Sequence, residues 1–323
     1  MTIKQIYELA IKMGVEADLR GKKRIQNILK KNKENFDSLK KEEKEEFDKE
    51  TLTNPYADSR LFTDQPDKRV KRILTGIDIE TEEILLANEL SKKKPIDLVL
   101  AHHPTGKALA GLHEVMDMQA EILAQYGVPI NVAQNLLHVR ISEVTRKLNP
   151  VNHNEAVDAA KLLDFSLMCI HTPIDNLVTQ FIKKLLEKNE NKIETVADIL
   201  KILKSIPEYQ LAAREKAGPS LFAGKSDNFT GKIAMTEMTG GTEGSKEIYE
   251  KLSQAGIGTV IGMHMSEEHK VEAEKHHVNA IMAGHISSDS IGMNLFLDEL
   301  EKRGIEVIPC SGLIRVKRFR RRK

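Results

Sequence analysis

The amino-acid sequence predicts an α/β protein made of two α/β lobes and a helical extension at the N-terminus. Apolar residues recur at helical spacing through residues 1–55. Short apolar runs alternate with helical segments through residues 72–170 and again through residues 232–310, which is typical of α/β units. The chain of 323 residues also exceeds the size, about 250 to 300 residues, at which a single core stops growing, so we expect more than one domain.

The predicted domain boundaries follow changes in the sequence pattern. Lys and Glu dominate residues 22–50, which indicates a solvent-facing helical hairpin within the extension. A polar helical segment separates the two α/β runs, and Thr195 and Asp198 within it resemble a capping box. We expect an N-terminal extension (residues 1–60) and a first lobe (61–175). A helical connector (176–230), a second lobe (231–314) and a basic tail (315–323) follow.

Each lobe is predicted to contain four strands. Apolar runs predict strands at residues 72–78, 96–102, 128–132 and 165–170, then at 233–237, 258–263, 280–283 and 306–310. Helical spacing predicts helices at residues 81–90, 112–126, 135–149 and 153–163, then one ending at 255, and others at 266–277 and 285–303. Glu82 and Glu83 occupy a first turn, where the helix dipole favours negative charge. Gly127 directly follows the helix predicted at 112–126, at the position where glycine commonly ends a helix.

The composition argues against several classes of protein. No apolar run approaches the roughly 18 to 20 residues that span a bilayer, and the first residues lack the layout of a secretory signal. Cys169 and Cys310 make no disulfide framework. We therefore expect a cytoplasmic protein that does not cross a membrane. A net charge of +1 gives no general argument for nucleic acid.

Positive charge is nevertheless concentrated in residues 315–323, where every residue except Val316 and Phe319 is Arg or Lys. One interpretation is a solvated end of the chain, because termini are usually untethered. The other is a tail that binds phosphate or nucleic acid.

Candidate metal ligands follow three predicted strands. They are His102 with His103, His171 with Asp175, and His285 with Asp289. In open α/β sheets the C-terminal ends of strands face the ligand crevice, so donors from distant parts of the chain can converge there. His285 and Asp289 are also four residues apart at the start of a predicted helix, and therefore share one face.

Five of these residues predict a site for two metal ions. The set His102, His103, Asp175, His285 and Asp289 is too large for one tetrahedral zinc ion, but it suits two ions roughly 3.5 to 4 Å apart with one bridging carboxylate. Neighbouring histidines at a strand end diverge and can serve one ion each. Mixed nitrogen and oxygen donors fit Zn, Mn, Fe or Co.

The order of these motifs resembles the Nif-three-like dinuclear metal centre family, often labelled GTP cyclohydrolase 1 type 2 homologues. The matching motifs are His102-His103-Pro104, His171-Thr172-Pro173-Ile174-Asp175, and Gly284-His285 with an acid four residues later, all within about residues 72–314. The resemblance implies two lobes with a two-metal site in the cleft between them, commonly in a toroidal hexamer. It implies the same five ligands, with Asp289 in the place of the family's bridging glutamate and His171 beside the site, as a ligand, a supporting residue or packing.

These inferences make a metal-dependent hydrolase the leading hypothesis, with a small and nucleotide-like substrate. Two ions would polarise a substrate carbonyl or phosphoryl group and lower the pKa of a bound water to about 7. His264 or Glu268 would transfer the proton, since the matching family loop approaches the metals. The alternative is a metal-stabilised oligomeric binding or scaffold protein that touches nucleic acid through the tail. A third hypothesis makes the donors structural and metal-free.

Overall fold

The computed structural model describes residues 1–319 and has the predicted α/β architecture. The strands within these residues are β1 (Arg60–Phe62), β2 (Arg72–Gly76), β3 (Leu98–Ala101), β4 (Leu167–Cys169), β5 (Ser220–Ala223), β6 (Lys232–Glu237), β7 (Ile257–Gly262), β8 (Asn279–Met282) and β9 (Glu306–Pro309). The helices are α1 (Ile3–Ala17), α2 (Lys22–Ser38), α3 (Lys41–Glu46), α4 (Thr81–Ser91), α5 (Gly106–Ala110), α6 (Asp117–Gln125), α7 (Ile130–Leu148), α8 (Glu155–Leu162), α9 (Thr172–Lys188), α10 (Val196–Leu203), α11 (Pro207–Arg214), α12 (Ile248–Gln254), α13 (Glu267–Lys275) and α14 (His285–Lys302). None of the helices within residues 1–319 combines the length and the apolar composition needed to cross a membrane.

The first sheet has the strand order β1-β4-β3-β2-β9 and is parallel except for the edge strand β1. Every residue of β3 is buried, as expected for a parallel strand with both faces of the sheet covered. Ala101 pairs with Cys169 at the last position of β3 and β4. His102 and His171, which follow closely, therefore leave the sheet at the same edge.

The second sheet has the order β5-β8-β7-β6, and β5 pairs antiparallel with β8. After β8 the chain passes through Gly284, whose φ of 101° lies in the left-handed region, and turns directly into α14. His285 is the first residue of that helix.

Helix α14 connects the two sheets. It begins after β8 in the second sheet and leads to β9, which pairs with β2 in the first. It also packs closely on α9, because a Cβ atom on Gly292 would lie 2.4 Å from the carbonyl oxygen of Ile174. The N-terminal halves of α9 and α14 are thereby held side by side.

The N-terminal extension is helical and packs on this framework. Ile3 and Ile6 of α1 are fully buried in the core of the first sheet, and α1 lies against α9. By contrast, Ile25 is the one buried residue of α2 within Lys22–Ser38. The extension therefore combines a helix that belongs to the core with a charged hairpin that faces solvent.

The structure corrects three predictions about secondary structure and one about topology. The strand predicted at residues 306–310 belongs to the first sheet and not to the second lobe, because β9 pairs with β2. The strand predicted at residues 128–132 is wrong, because Pro129 caps α7 and the helix begins at Ile130. Alternating apolar residues over so short a run do not distinguish a strand from a helix start. Strand β5 lies within residues 176–230, which we predicted to be helical, and two of its four residues are exposed. The helix predicted at 112–126 is interrupted, with a 3-10 turn before α6.

Candidate metal centre

The structure brings the five predicted donors together. They come from the end of β3, the first turn of α9 and the first two turns of α14. His102 Nε2 lies 3.4 Å from Asp175 Oδ1 and 3.5 Å from Asp289 Oδ1. Asp289 Oδ2 lies 3.5 Å from His103 Nε2 and 3.6 Å from His285 Nε2. The donors form two trios with ligand atoms within 4.8 Å of one another, and Asp289 belongs to both.

The donor atoms are buried but have no partners. Among residues 1–319, His102 Nε2, His103 Nε2, Asp175 Oδ1 and both carboxylate oxygens of Asp289 are inaccessible and accept or donate no hydrogen bond. Leaving a buried polar group unsatisfied costs about 1 to 3 kcal/mol, and more for a charged group. Because nitrogen and carboxylate donors are the usual ligands of divalent transition metals, the residues present fit such ions.

The other ring nitrogens of the two adjacent histidines are already bonded. His102 Nδ1 donates to the carbonyl oxygen of Ile170 at 3.0 Å, and a carbonyl can only accept. His103 Nδ1 lies 2.6 Å from Asp78 Oδ1. With the proton held on Nδ1, the neutral ring presents the lone pair of Nε2 to the cluster, as metal-binding histidines commonly do. Asp78 was not predicted, although it follows β2 as the other donors follow their strands.

The charges within the donor cluster favour the ionised forms of His102 and Asp289. Burial opposes protonation of His102, but the carboxylates of Asp289 and Asp175 outweigh it and raise the pKa of His102 to about 10. Burial likewise opposes ionisation of Asp289, but His102 and His103 hold the pKa of that carboxyl well below its usual range. A metal ion bound among these groups would therefore compete with a proton for them.

Comparison with known proteins identifies the fold. No family model matches the chain, and no curated protein matches it. Among solved structures, the crystal structure of an NIF3 superfamily protein from Sphaerobacter thermophilus is 30% identical, with a TM-score of 0.67 over 80% of this chain and 92% of that one. The chain belongs to the NIF3 superfamily. This confirms the resemblance drawn from the sequence motifs.

A second solved structure has the same fold. Reduced HcgD from Methanocaldococcus jannaschii is 16% identical to this NIF3 superfamily member, with a TM-score of 0.51 over 83% of this chain and 94% of that one. At this identity the likeness concerns the fold alone.

The two residues predicted to transfer protons are placed differently in this NIF3 protein. His264 lies beside the cluster, with its ring centroid 5.2 Å from that of His285, and burial lowers the pKa of His264. Glu268 lies on the surface of α13, where its side chain is 72% exposed and paired with Lys246 at 2.6 Å. The expectation for Glu268 is therefore corrected, because the first turn of α13 points this side chain to solvent.

Sequence reasoning missed Glu237, the last residue of β6. It lines a cavity of about 20 Å³ together with His171, Asp175, His264 and His285, which is room for about one water molecule. Its carboxylate accepts a hydrogen bond from Gly244 N at 3.2 Å. Burial, with a smaller contribution from Glu243, raises the pKa of Glu237 to about 7. Its position at a strand end was the available signal.

We expect Glu237→Gln to flatten the pH dependence of stability. Folding raises the pKa of this carboxyl from 4.5 to about 7. Its contribution to stability is therefore complete below pH 4.5, the pKa in the unfolded chain, and is lost as the pH rises through about 7. Each pH unit of displacement corresponds to about 1.4 kcal/mol, so the variant should gain up to about 3 kcal/mol over wild type between pH 4.5 and 8. Urea unfolding across this range measures the difference, and parallel curves for the two proteins would contradict it.

The described part of the basic tail is paired within the fold. Arg315 bonds to Asp298 at 2.6 Å, Lys317 to Glu301 at 2.8 Å, and Arg318 to Glu208 at 2.6 Å. Arg320, Arg321, Arg322 and Lys323 lie outside the described residues. The pairing of the first three basic residues does not favour the nucleic-acid alternative, which we do not propose.

Proposed function

We propose that this NIF3 superfamily member is a metal-dependent hydrolase that holds two divalent ions in the donor cluster. The observation that carries the proposal is the set of five buried donor atoms without partners, supplied by four residues that the fold brings to one point. Without an ion or a proton between them, these donors would be buried with no partner.

The geometry supports a division of the donors between two ions. His102, Asp175 and Asp289 would hold one ion, and His103, His285 and Asp289 would hold the other. The two oxygens of Asp289 face different trios, which suits a bridging carboxylate. The shorter aspartate reaches both trios, because its oxygens lie 3.5 to 3.6 Å from His102, His103 and His285.

The residues around the cluster favour hydrolysis of a small substrate, and we propose a nucleotide or another phosphoester or amide of that size. Bound divalent ions would supply Lewis acidity toward a carbonyl or phosphoryl oxygen. His264 is suited to accept a proton near neutral pH, because its burial favours the neutral ring. Ile170 and Asp78 hold the rings of His102 and His103 in one tautomer. We further propose that the protein is cytoplasmic and a homo-oligomer, with the hexamer as the expected state.

Metal analysis tests the site. Protein purified without added metal should contain about two transition-metal ions per chain, and His103→Ala should retain about one, since it removes a ligand from one trio alone. His138→Ala, which changes an exposed histidine of α7, is the matched control and should retain both. Elemental mass spectrometry measures the content. Less than about one ion in the wild-type protein, unchanged by His103→Ala, would exclude the proposed site.

The same preparations test turnover. Wild type and the His138→Ala control should hydrolyse at least one member of a panel of nucleotides and phosphoesters in the presence of Mn or Zn, and His103→Ala should lose that activity. A metal-loaded wild-type protein that turns over none of them would point instead to the binding or scaffold alternative.

A further inference from the structure

The N-terminal extension places a buried carboxylate beside the donor cluster. Asp58, which directly precedes β1, is fully buried. Its Oδ2 atom lies 2.9 Å from His171 Nδ1 and accepts a hydrogen bond from Thr172 Oγ1 at 2.6 Å. Asp58 thus contacts the residue that immediately precedes α9 and the first residue of that helix.

The hydrogen bonds around Asp58 fix the tautomer of His171. Ser59 Oγ accepts from His171 N at 3.0 Å, and its own hydroxyl donates to Asp58 Oδ1 at 3.3 Å. With Thr172 donating to the other oxygen, Asp58 acts as an acceptor on both sides. His171 Nδ1 must therefore carry the proton that it shares with Asp58, and the lone pair of the neutral ring is left on Nε2.

That lone pair faces the proposed ligands. One ring nitrogen from each of His102, His103 and His171 lies within 4.8 Å of the other two. His171 Nε2 is also 3.7 Å from Asp175 Oδ2, and its ring centroid is 5.0 Å from that of His102. The ring of His171 is therefore as close to the cluster as the predicted ligands are to one another.

We propose that His171 is a sixth donor of the metal centre and that Asp58 is the positioning residue that holds it in the binding tautomer. This inference rests on the proposed function, because it assumes that the cluster binds divalent ions. It gives the N-terminal extension a part in metal binding, which neither the sequence motifs nor the comparisons assign to it.

A buried network anchors Asp58 to the rest of the extension. The carbonyl oxygen of its neighbour Ser59 accepts hydrogen bonds from Tyr7 Oη, Asn54 Nδ2 and the Arg60 guanidinium, each at 2.8 Å. Three donors on one oxygen leave this short segment little freedom to move. The carboxylate is thus fixed by α1 and by the chain around residue 54, and not by the sheet alone.

Asp58→Asn tests the proposal, because an amide offers a donor as well as an acceptor and no longer requires the proton on His171 Nδ1. We expect the affinity for Zn(II) or Co(II) to fall about 10- to 100-fold, the usual effect of removing an outer hydrogen-bond partner of a ligand. Isothermal titration with Zn(II) and the visible absorption of bound Co(II) are the measurements. Glu208→Gln is the matched control, since Glu208 is equally buried and bonds to Asn294 and Arg318 instead.

A second variant keeps the test decisive if Asp58→Asn folds poorly. His171→Gln should weaken metal binding by at least as much, and the double variant should lose no more than His171→Gln alone, because Asp58 acts through that ring. Unchanged affinity in folded His171→Gln would overturn the inference while leaving the five-donor site intact. Failure of the wild-type protein to bind metal would overturn the proposed function and this inference together.

Discussion

Asp289→Asn should lower the bound divalent metal from about two ions to fewer than one per chain. Asp289 is fully buried, and its two oxygens face His102 on one side and His103 with His285 on the other. An amide nitrogen cannot replace a carboxylate oxygen as a ligand, so the substitution removes a donor from one trio and leaves the other with a neutral oxygen in place of a charged one. Loss of a shared ligand should therefore cost more than loss of His103.

The measurement is elemental analysis combined with thermal unfolding before and after chelation. A ligand present at 1,000 times its Kd stabilises the folded state by about 4 kcal/mol, so chelation should lower the melting temperature of wild type clearly and that of Asp289→Asn hardly at all. Glu299→Gln, near the other end of the same helix, serves as the control and should behave as wild type. Full metal content in Asp289→Asn would show that the carboxylate is not a ligand.

Gly292→Ala should destabilise the fold and weaken metal binding together. A Cβ atom at this position would lie 2.4 Å from the carbonyl oxygen of Ile174 and 2.7 Å from its Cγ2 atom, so α14 and α9 must move apart. Overpacking of this kind costs about 1 to 3 kcal/mol. The higher helix propensity of alanine offsets about 1 kcal/mol of this cost. We expect a net destabilisation because the clash is with backbone atoms, which cannot rotate away.

The same movement separates Asp289 from Asp175, which lie in the first two turns of the two helices. Urea unfolding should therefore show a lower free energy of unfolding, and Zn(II) titration a weaker affinity. Lys302→Ala, at the solvent-facing end of α14, should change neither by much. Wild-type stability and affinity in Gly292→Ala would mean that the helix contact does not set the spacing of the donors.

The fold class and the convergence of the donors could be predicted from the sequence because both depend on local signals. Apolar runs ending in His102 and His103, and the i, i+4 spacing of His285 and Asp289, are visible without any tertiary information. The superfamily membership follows from the same motifs in the same order, which the comparison with the Sphaerobacter thermophilus protein confirms.

The supporting residues could not be found in this way. Asp58 and Asp78 contact their histidines across 113 and 25 positions of sequence, so only the packed fold reveals the pairs. The family resemblance suggests Glu268 because the matching loop approaches the metals, yet the rotation of α13 about its axis decides which of its side chains face inward. β5 is not visible in the sequence because Leu221 and Phe222 are both apolar, so the residue types do not follow the alternation of exposed and covered positions.

The path of α14 from the second sheet to the first has a consequence for biosynthesis. A ribosome releases β2, β3 and β4 long before it releases α14 and β9. Until then the nascent chain holds His102, His103 and Asp175 without Asp289 or His285, and β2 presents an open edge that β9 later covers. The last two donors and the strand that covers the edge of β2 therefore leave the ribosome together, late in synthesis, so that an incomplete chain has neither a finished core nor a complete donor cluster.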